Sequence, residues 1–162
     1  MNPPEEFAEY AAARWPDLVR TARFAGCQPS DAEDVAQEAL IRCLKAWGKV
    51  TSARDREAYV YRILFNCIRD HMRKHRRESP SNLIDSAVSD FAEGVLEEQN
   101  FLTLLDRLPG HQREVLILRY FVGLSEAEVA IVLNAPLGTV KSRAARGVEG
   151  LKAVLRRPGG AD

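Results

Sequence analysis

Apolar residues recur at three- and four-residue intervals along nearly the whole chain, and this spacing is the period of an amphipathic α-helix. The clearest stripe lies on the third predicted helix and consists of Val60, Ile63, Leu64, Cys67 and Ile68. Alternating apolar and polar residues between hairpin turns, which would indicate β-strands, do not occur in the sequence. We therefore predict an all-α fold.

The helical period is lost once, between residues 78 and 94, where Ser, Pro, Asn, Asp and small residues prevail. We interpret this segment as a linker between two small helical domains, at residues 5–77 and 95–157. Because the chain has 162 residues, each domain would have only a marginal core of its own. The predicted helices cover residues 5–25, 30–47, 54–77, 95–108, 109–121, 126–133 and 137–157.

Local signals refine three of these helices. Pro16 is expected to interrupt the first helix, because proline lacks the amide hydrogen that an interior position requires. Ser30 with Glu33, and Ser125 with Glu128, have the spacing of capping boxes that begin two further helices.

Charged residues form blocks of alternating sign, although the formal net charge of the chain is zero. Residues 42–77 hold 11 basic and 3 acidic side chains, and residues 107–162 hold 9 basic and 5 acidic ones. The segment between them, 78–106, holds 7 acidic side chains and no basic one. This distribution predicts two surfaces for polyanions, joined by an acidic linker that avoids such ligands.

The second basic block contains the pattern of a helix-turn-helix motif, with a short helix, a tight turn and a second helix between residues 125 and 146. The second helix of this motif enters the major groove of DNA. Arginine is suited to bidentate contacts with guanine, whereas lysine and serine favour phosphate. The candidate contact residues are Thr139, Lys141, Ser142, Arg143 and Arg146.

The first basic block predicts a helix with one cationic face, which consists of Arg62, Asn66, Arg69, Arg73 and Arg76. Aromatic residues stand beside this face or precede it, namely Trp47, Tyr59, Tyr61 and Phe65. Cations that follow phosphates, together with aromatics that stack on bases, are typical of surfaces for single-stranded or melted DNA. The alternative is that the aromatic residues belong to the core.

The helix expected at 30–47 has an acidic first half with Asp31, Glu33, Asp34, Gln37 and Glu38. Acidic residues near a helix N-terminus interact favourably with the positive end of the helix dipole, and this effect alone could explain their position here. The same face could instead bind a basic surface of a protein partner.

Motifs for phosphate loops, metalloprotease zinc, serine nucleophiles and dinucleotides are absent from the sequence, so we expect no enzymatic activity and no cofactor. Cys67, His71 and His75 have a spacing that could bind zinc, but Cys67 lies in the apolar stripe and we expect no metal site. The odd number of cysteines, three, predicts reduced thiols in a cytoplasmic protein. Neither a signal peptide nor a membrane-inserted segment is expected.

Five segments together resemble the extracytoplasmic-function (ECF, group IV) sigma factors of the sigma-70 family. They are residues 31–40 (DAEDVAQEAL), 58–66 (AYVYRILFN), 108–109 (LP), 112–121 (QREVLILRYF) and 138–143 (GTVKSR). The resemblance extends from about residue 5 to 156. The helix-turn-helix part alone is shared with LuxR-type regulators, and its combination with the 31–40 segment makes the resemblance specific.

The resemblance implies a function and a set of partners. The chain would bind bacterial core RNA polymerase, through the β′ clamp helices and the β flap, and direct promoter-specific initiation. The resemblance is also compatible with an anti-sigma factor as a partner. The expected location of the chain is the cytoplasm, at the nucleoid. Residues 5–77 would be sigma region 2, and residues 95–157 would be sigma region 4.

The resemblance also assigns residues to three surfaces. The residues expected to bind the polymerase are Asp31, Asp34, Gln37 and Glu38. Those expected to contact the −10 element as it opens are Arg62, Asn66, Asp70, Arg73 and Lys74. Those expected to contact the −35 element are Thr139, Lys141, Ser142, Arg143 and Arg146.

The alternative function is that of a stand-alone helix-turn-helix (LuxR-like) regulator that binds duplex DNA without polymerase. That function would account for residues 109–157 and leave the acidic and basic helices of the first domain unexplained. It predicts tight binding of the chain alone to duplex DNA, whereas a sigma factor should bind weakly until core polymerase separates its two domains.

Overall fold

The computed structural model describes residues 2–78 and 96–156, and all regular structure in these residues is helical. The elements are α1 (Pro3–Phe24), α2 (Pro29–Lys45), α3 (Trp47–Ser52), α4 (Arg56–Glu78), α5 (Leu96–Asp106), α6 (Gly110–Leu116), a π-helical segment (Ile117–Val122), α7 (Glu126–Leu133) and α8 (Leu137–Arg156). The predicted all-α fold is confirmed. Apart from residue 78, the predicted acidic linker lies outside the described residues.

Helix α1 continues through Pro16, so the predicted interruption is wrong. Proline removes one hydrogen bond of the helix, but Leu18 and Ala22 after it are both 0% exposed, and Ala11 and Trp15 before it pack against the core. This packing holds the backbone helical on either side. The helix begins with two prolines, and the Asn2 side chain accepts a hydrogen bond from the amide of Glu5 at 3.0 Å.

The two predicted capping boxes have different outcomes. The box at Ser125 is confirmed, with hydrogen bonds of 3.1 Å from the Glu128 amide to Ser125 Oγ and 2.7 Å from the Ser125 amide to Glu128 Oε1. The box at Ser30 is wrong, because α2 begins one residue earlier at Pro29. Proline is favoured in the first turn, where its missing amide hydrogen costs nothing.

The short helix α3 was not predicted, and it turns the chain between α2 and α4. Trp47 begins it and is only 7% exposed, with ring centroids 5.4 Å from Phe7 and 5.6 Å from Tyr10. Helix α4 follows, and the Asp55 carboxylate accepts a hydrogen bond from the Ala58 amide at 3.1 Å at its first turn.

Two helical units build the structure, one from α1–α4 and the other from α5–α8 with the π-helical segment. Helices α2 and α4 pack against each other in the first unit, and α6 packs against α8 in the second. Gly147 permits the second contact, since a Cβ atom there would lie 2.9 Å from Leu116 Cδ1. Glycine lowers the intrinsic stability of α8 at this position, but it allows the close approach of α6.

The two units also pack against each other and share one continuous hydrophobic core. Phe24, 2% exposed, lies at the junction with ring centroids 5.2 Å from Phe101 and 4.6 Å from Phe121, both at 90°. Arg69 of α4 forms an ion pair of 3.7 Å with Glu114 of α6. Helix α4 therefore lies between α2 and the second unit. In the described part of the chain, no helix is both long and apolar enough to cross a membrane.

Candidate nucleic-acid and protein interfaces

The helix-turn-helix motif forms as predicted from α7, a tight turn and α8. Asn134 adopts a left-handed conformation with φ of 51°, and the Ala135 amide donates to the Ala130 carbonyl at 3.0 Å, which closes the end of α7. Val140 and Ala144 are 0% and 7% exposed and anchor α8 in the core. This packing fixes which side of α8 faces outward.

The five candidate residues of α8 lie together on its first three turns. Lys141, Ser142 and Arg146 are exposed, whereas Thr139 and Arg143 are half-buried. The Ser142 hydroxyl donates to the Thr139 carbonyl at 3.1 Å. Two cations and a hydroxyl are therefore available to a nucleic acid on this helix, and Arg143 is less accessible.

The cationic face of α4 is accessible along most of its length. Arg62, Asn66, Arg73 and Lys74 are exposed. Asp70 is exposed too, and its carboxylate lies 3.4 Å from Arg42 Nη2 of α2 and 4.0 Å from Arg73 Nη1. The five predicted −10 residues thus share an exposed region of the helix, although Asp70 neutralises part of its charge.

The interpretation of the neighbouring aromatic residues as a base-stacking platform is wrong for three of the four. Phe65 is 0% exposed, Tyr61 3% and Trp47 7%, so all three belong to the core. Only Tyr59 keeps partial exposure. Burial of these large side chains stabilises the fold, because the small first unit has few other residues with which to fill its core.

The acidic face of α2 carries three exposed polar residues, Asp34, Gln37 and Glu38. One or two turns further along, Ile41 and Leu44 are 42% and 47% exposed on the same face. This apolar extension was not predicted, although a helical projection of α2 places both residues outside its buried stripe. The face therefore combines an acidic end with an exposed apolar end.

Asp31 departs from the other predicted docking residues, because it is half-buried and its carboxylate lies 3.5 Å from His71 Nε2 of α4. Cys67 is buried in the core at 3% exposure, as its position in the apolar stripe of α4 predicts. Burial raises the pKa of Cys27 to about 12 and of Cys43 and Cys67 to about 11. Protonated, buried thiols of this kind are poor nucleophiles.

Glu114 is the carboxylate at the junction of the two units. Burial raises the pKa of its carboxyl, and the Arg69 guanidinium at 3.7 Å and the nearby charge of Arg143 only partly oppose this effect. The charged form of Glu114 is therefore less favourable in the folded protein than in the unfolded chain.

Replacement of Glu114 by glutamine is expected to increase stability at neutral pH. A carboxyl whose pKa is raised by folding stabilises the protein fully below its ordinary value of 4.5, and this contribution is lost as the pH rises through the folded pKa. Urea denaturation from pH 4 to 7.5 should show a smaller decline for Glu114→Gln than for the wild type. Glu149→Gln, on exposed α8 surface, is the control and should follow the wild type. A steeper decline for Glu114→Gln would contradict the expectation.

Comparison with known proteins gives matches over both units. Residues 13–78 match the family described as Sigma-70 region 2, and residues 98–151 match Sigma-70, region 4. The chain is 32% identical over 152 residues to an RNA polymerase sigma-E factor of Streptomyces avermitilis, covering 93% of this chain and 85% of the relative. It is 34% identical to the ECF RNA polymerase sigma factor SigW of Bacillus subtilis, covering 78% and 76%.

A solved structure extends the similarity to the fold. It is the sigma factor RpoE of Bartonella quintana in complex with the anti-sigma factor NepR, with a TM-score of 0.77 and 28% identity. The match covers 95% of this chain and 99% of that sigma factor. The likeness therefore includes both helical units.

Proposed function

This chain belongs to the ECF sigma factors of the sigma-70 family. We propose which of its surfaces bind core polymerase and which bind the two promoter elements. It is an RNA polymerase sigma factor, which binds core polymerase and directs initiation at specific promoters. The observation that carries this function is that region 2 and region 4 both match, in that order, over 13–78 and 98–151. The stand-alone regulator would explain only the second match.

The exposed face of α2 is the surface that we assign to the β′ clamp helices of the polymerase. Asp34, Gln37 and Glu38 would form its polar part, and Ile41 and Leu44 would supply the apolar area that a stable interface needs at its centre. Asp31 would lie at the edge of this surface, because its carboxylate faces His71.

The exposed cations of α4 are assigned to the −10 element. Arg62, Arg73 and Lys74 would follow the phosphates of the non-template strand, and Asn66 and Asp70 offer hydrogen-bonding groups to an unstacked base. Extruding a base costs a few kcal/mol, and the cationic surface would offset this cost. Since Tyr61 and Phe65 are buried, polar contacts would have to carry most of this recognition.

Helix α8 is assigned to the −35 element. The exposed Arg146 is the best candidate for a bidentate contact with guanine, and Lys141 and Ser142 suit phosphate contacts. Thr139 and Arg143, which are half-buried, would border this contact, and the β flap would hold region 4 in place on the polymerase.

The packed arrangement of the two units has a consequence for promoter binding. The −10 and −35 elements are about 25 base pairs apart, which is about 85 Å of B-form DNA at 3.4 Å per base pair. A compact chain of this length has a radius of gyration of about 15 Å. The two units would therefore have to separate before region 2 and region 4 could contact both elements at once.

The closed arrangement also fits a regulatory partner. RpoE of Bartonella quintana, which this structure resembles, is held in a complex with an anti-sigma factor. We assign a partner of the same kind to this chain, which would keep the two units together until it is removed. The chain would act in the cytoplasm, at the nucleoid, and without catalytic activity of its own, because the polymerase performs the chemistry.

Promoter-specific transcription by bacterial core RNA polymerase, with and without the chain, tests this function. A library of genomic fragments at physiological salt is the appropriate template, because basic surfaces bind any DNA at low salt. Discrete start sites that depend on the chain are expected. A footprint of the chain alone on duplex DNA, without new start sites, would favour the stand-alone regulator.

Replacing Asp34 and Gln37 together with alanine is expected to weaken core polymerase binding about tenfold or more, which corresponds to the loss of interface contacts worth about 1.4 kcal/mol or more. Binding of the variant to labelled core polymerase measures this effect. Replacing Glu6, an exposed acid at the start of α1, with alanine gives a control that also removes one negative charge. Unchanged affinity of the Asp34 and Gln37 variant would show that α2 is not the docking helix.

A further inference from the structure

Asp31 of α2 and two histidines of α4, His71 and His75, bring three potential metal ligands together. One ligand atom from each residue lies within 4.8 Å of the other two. None of the surfaces assigned above uses either histidine. Spacing along the sequence groups these histidines only with Cys67, because Asp31 lies on another helix.

The geometry of the cluster suits a chelate. His75 is four positions after His71 on α4, so their imidazoles lie on the same face with ring centroids 5.8 Å apart. The Asp31 carboxylate approaches His71 Nε2 to 3.5 Å. Tetrahedral zinc with bonds of about 2.0–2.1 Å needs donor atoms about 3.3 Å apart, so modest side-chain rotations would complete the site.

The three side chains are accessible enough for a metal ion to enter and leave while the protein stays folded. The side chains of His71 and Asp31 are 25% and 29% exposed. The cluster borders a cavity of about 750 Å³, which leaves room for a water molecule as the fourth ligand. Three protein ligands with an open position are typical of accessible zinc sites.

Positive charges near the cluster oppose cation binding, and their partners reduce this effect. Arg69, Arg73, Arg76 and Arg113 line the same cavity, together with the carboxylates of Asp106 and Glu114. Arg69 is paired with Glu114 at 3.7 Å, and Arg73 lies 4.0 Å from Asp70. The Asp31 carboxylate supplies one negative charge directly to the site.

We propose that Asp31, His71 and His75 bind one divalent transition-metal ion with the preference of zinc, and that the ion joins α2 to α4. This site goes beyond the proposed function in transcription and does not depend on it. Two imidazoles and one carboxylate favour Zn²⁺ and Co²⁺ over Mg²⁺ and Ca²⁺, which prefer ligand sets made of oxygen. Because the folded protein would present all three ligands together, metal binding should stabilise it.

Titration of the full chain with Co²⁺ tests the site. A ligand set of low coordination number gives Co²⁺ a visible absorption much stronger than that of the hydrated ion, and saturation is expected at one ion per chain. His71→Gln and His75→Gln should each weaken binding about tenfold or more. His111→Gln is the matched control, because the remaining histidine is exposed on α6 and should leave the titration unchanged.

Thermal unfolding gives a second measurement. Zn²⁺ at about 100 times its Kd should raise the Tm of the wild type by about 5–10 °C, and Mg²⁺ at the same concentration should not. The His71 and His75 variants, whose folding circular dichroism would verify, should lose the shift. Equal Co²⁺ binding by these variants and the wild type, or a Tm of the wild type that does not rise with Zn²⁺, would overturn the proposal.

Discussion

Replacing Phe24 with alanine is expected to lower the free energy of unfolding by about 3–5 kcal/mol, the usual cost of removing a buried phenylalanine. Its ring is 2% exposed and meets Phe101 and Phe121 edge to face at 5.2 and 4.6 Å. Because Phe24 belongs to the first unit and its two partners to the second, the substitution should also weaken the contact between the units. Urea denaturation measures the first effect, and the radius of gyration from small-angle X-ray scattering measures the second.

Tyr120→Ala is the control for Phe24→Ala. Tyr120 is an aromatic residue of the same π-helical segment as Phe121, but it is 63% exposed, so its removal should change stability by less than about 0.5 kcal/mol. If Phe24→Ala lowered the stability without increasing the radius of gyration, Phe24 would stabilise the first unit alone and other contacts would join the units.

Replacing Arg146 with alanine is expected to lower the affinity of the holoenzyme for its promoter by about 1–3 kcal/mol, which is about 5- to 150-fold. Arg146 is exposed on α8, and the buried residues Val140 and Ala144 hold that helix in place. The loss should be confined to promoters with the preferred base pair at one position of the −35 element. Binding to a promoter set with single substitutions across that element measures the effect.

Lys141→Ala is the matched control on the same helix. Lysine suits phosphate rather than a base edge, so this variant should bind every promoter of the set more weakly to a similar degree. Its affinity should also depend less on salt concentration than that of the wild type. An equal loss of affinity on all promoter sequences for Arg146→Ala would mean that Arg146, like Lys141, contacts phosphate. The assignment of base recognition to Arg146 would then be wrong.

The sequence predicts most of the helices, because each has its own local signals. The capping box at Ser125 and the apolar period of α4 are examples, and both forms of evidence depend only on residues a few positions apart. The same local signals fail at Pro16 and Ser30. There, packing of the surrounding helix and the presence of Pro29 decide the outcome.

The sequence could predict which candidate site residues share one face of a helix. It could not predict which of them contact a residue of another helix. The structure keeps Asp34, Gln37 and Glu38 exposed on one face of α2, as their spacing indicates. It turns Asp31 toward His71 and pairs Asp70 with Arg42. No spacing within one helix could predict these pairs, because each joins α2 to α4.

Periodicity and residue type along the chain are enough to show that it is helical and that its basic residues fall on two segments. The assignment of these segments to sigma regions 2 and 4 rests instead on the resemblance of five short segments to the family. The packing of the helices was needed to show that Tyr61, Phe65 and Trp47 are core residues, and that Phe24 contacts the second unit. Burial depends on which surfaces meet across large separations in sequence, and these aromatic side chains fill a core that no single helix forms by itself.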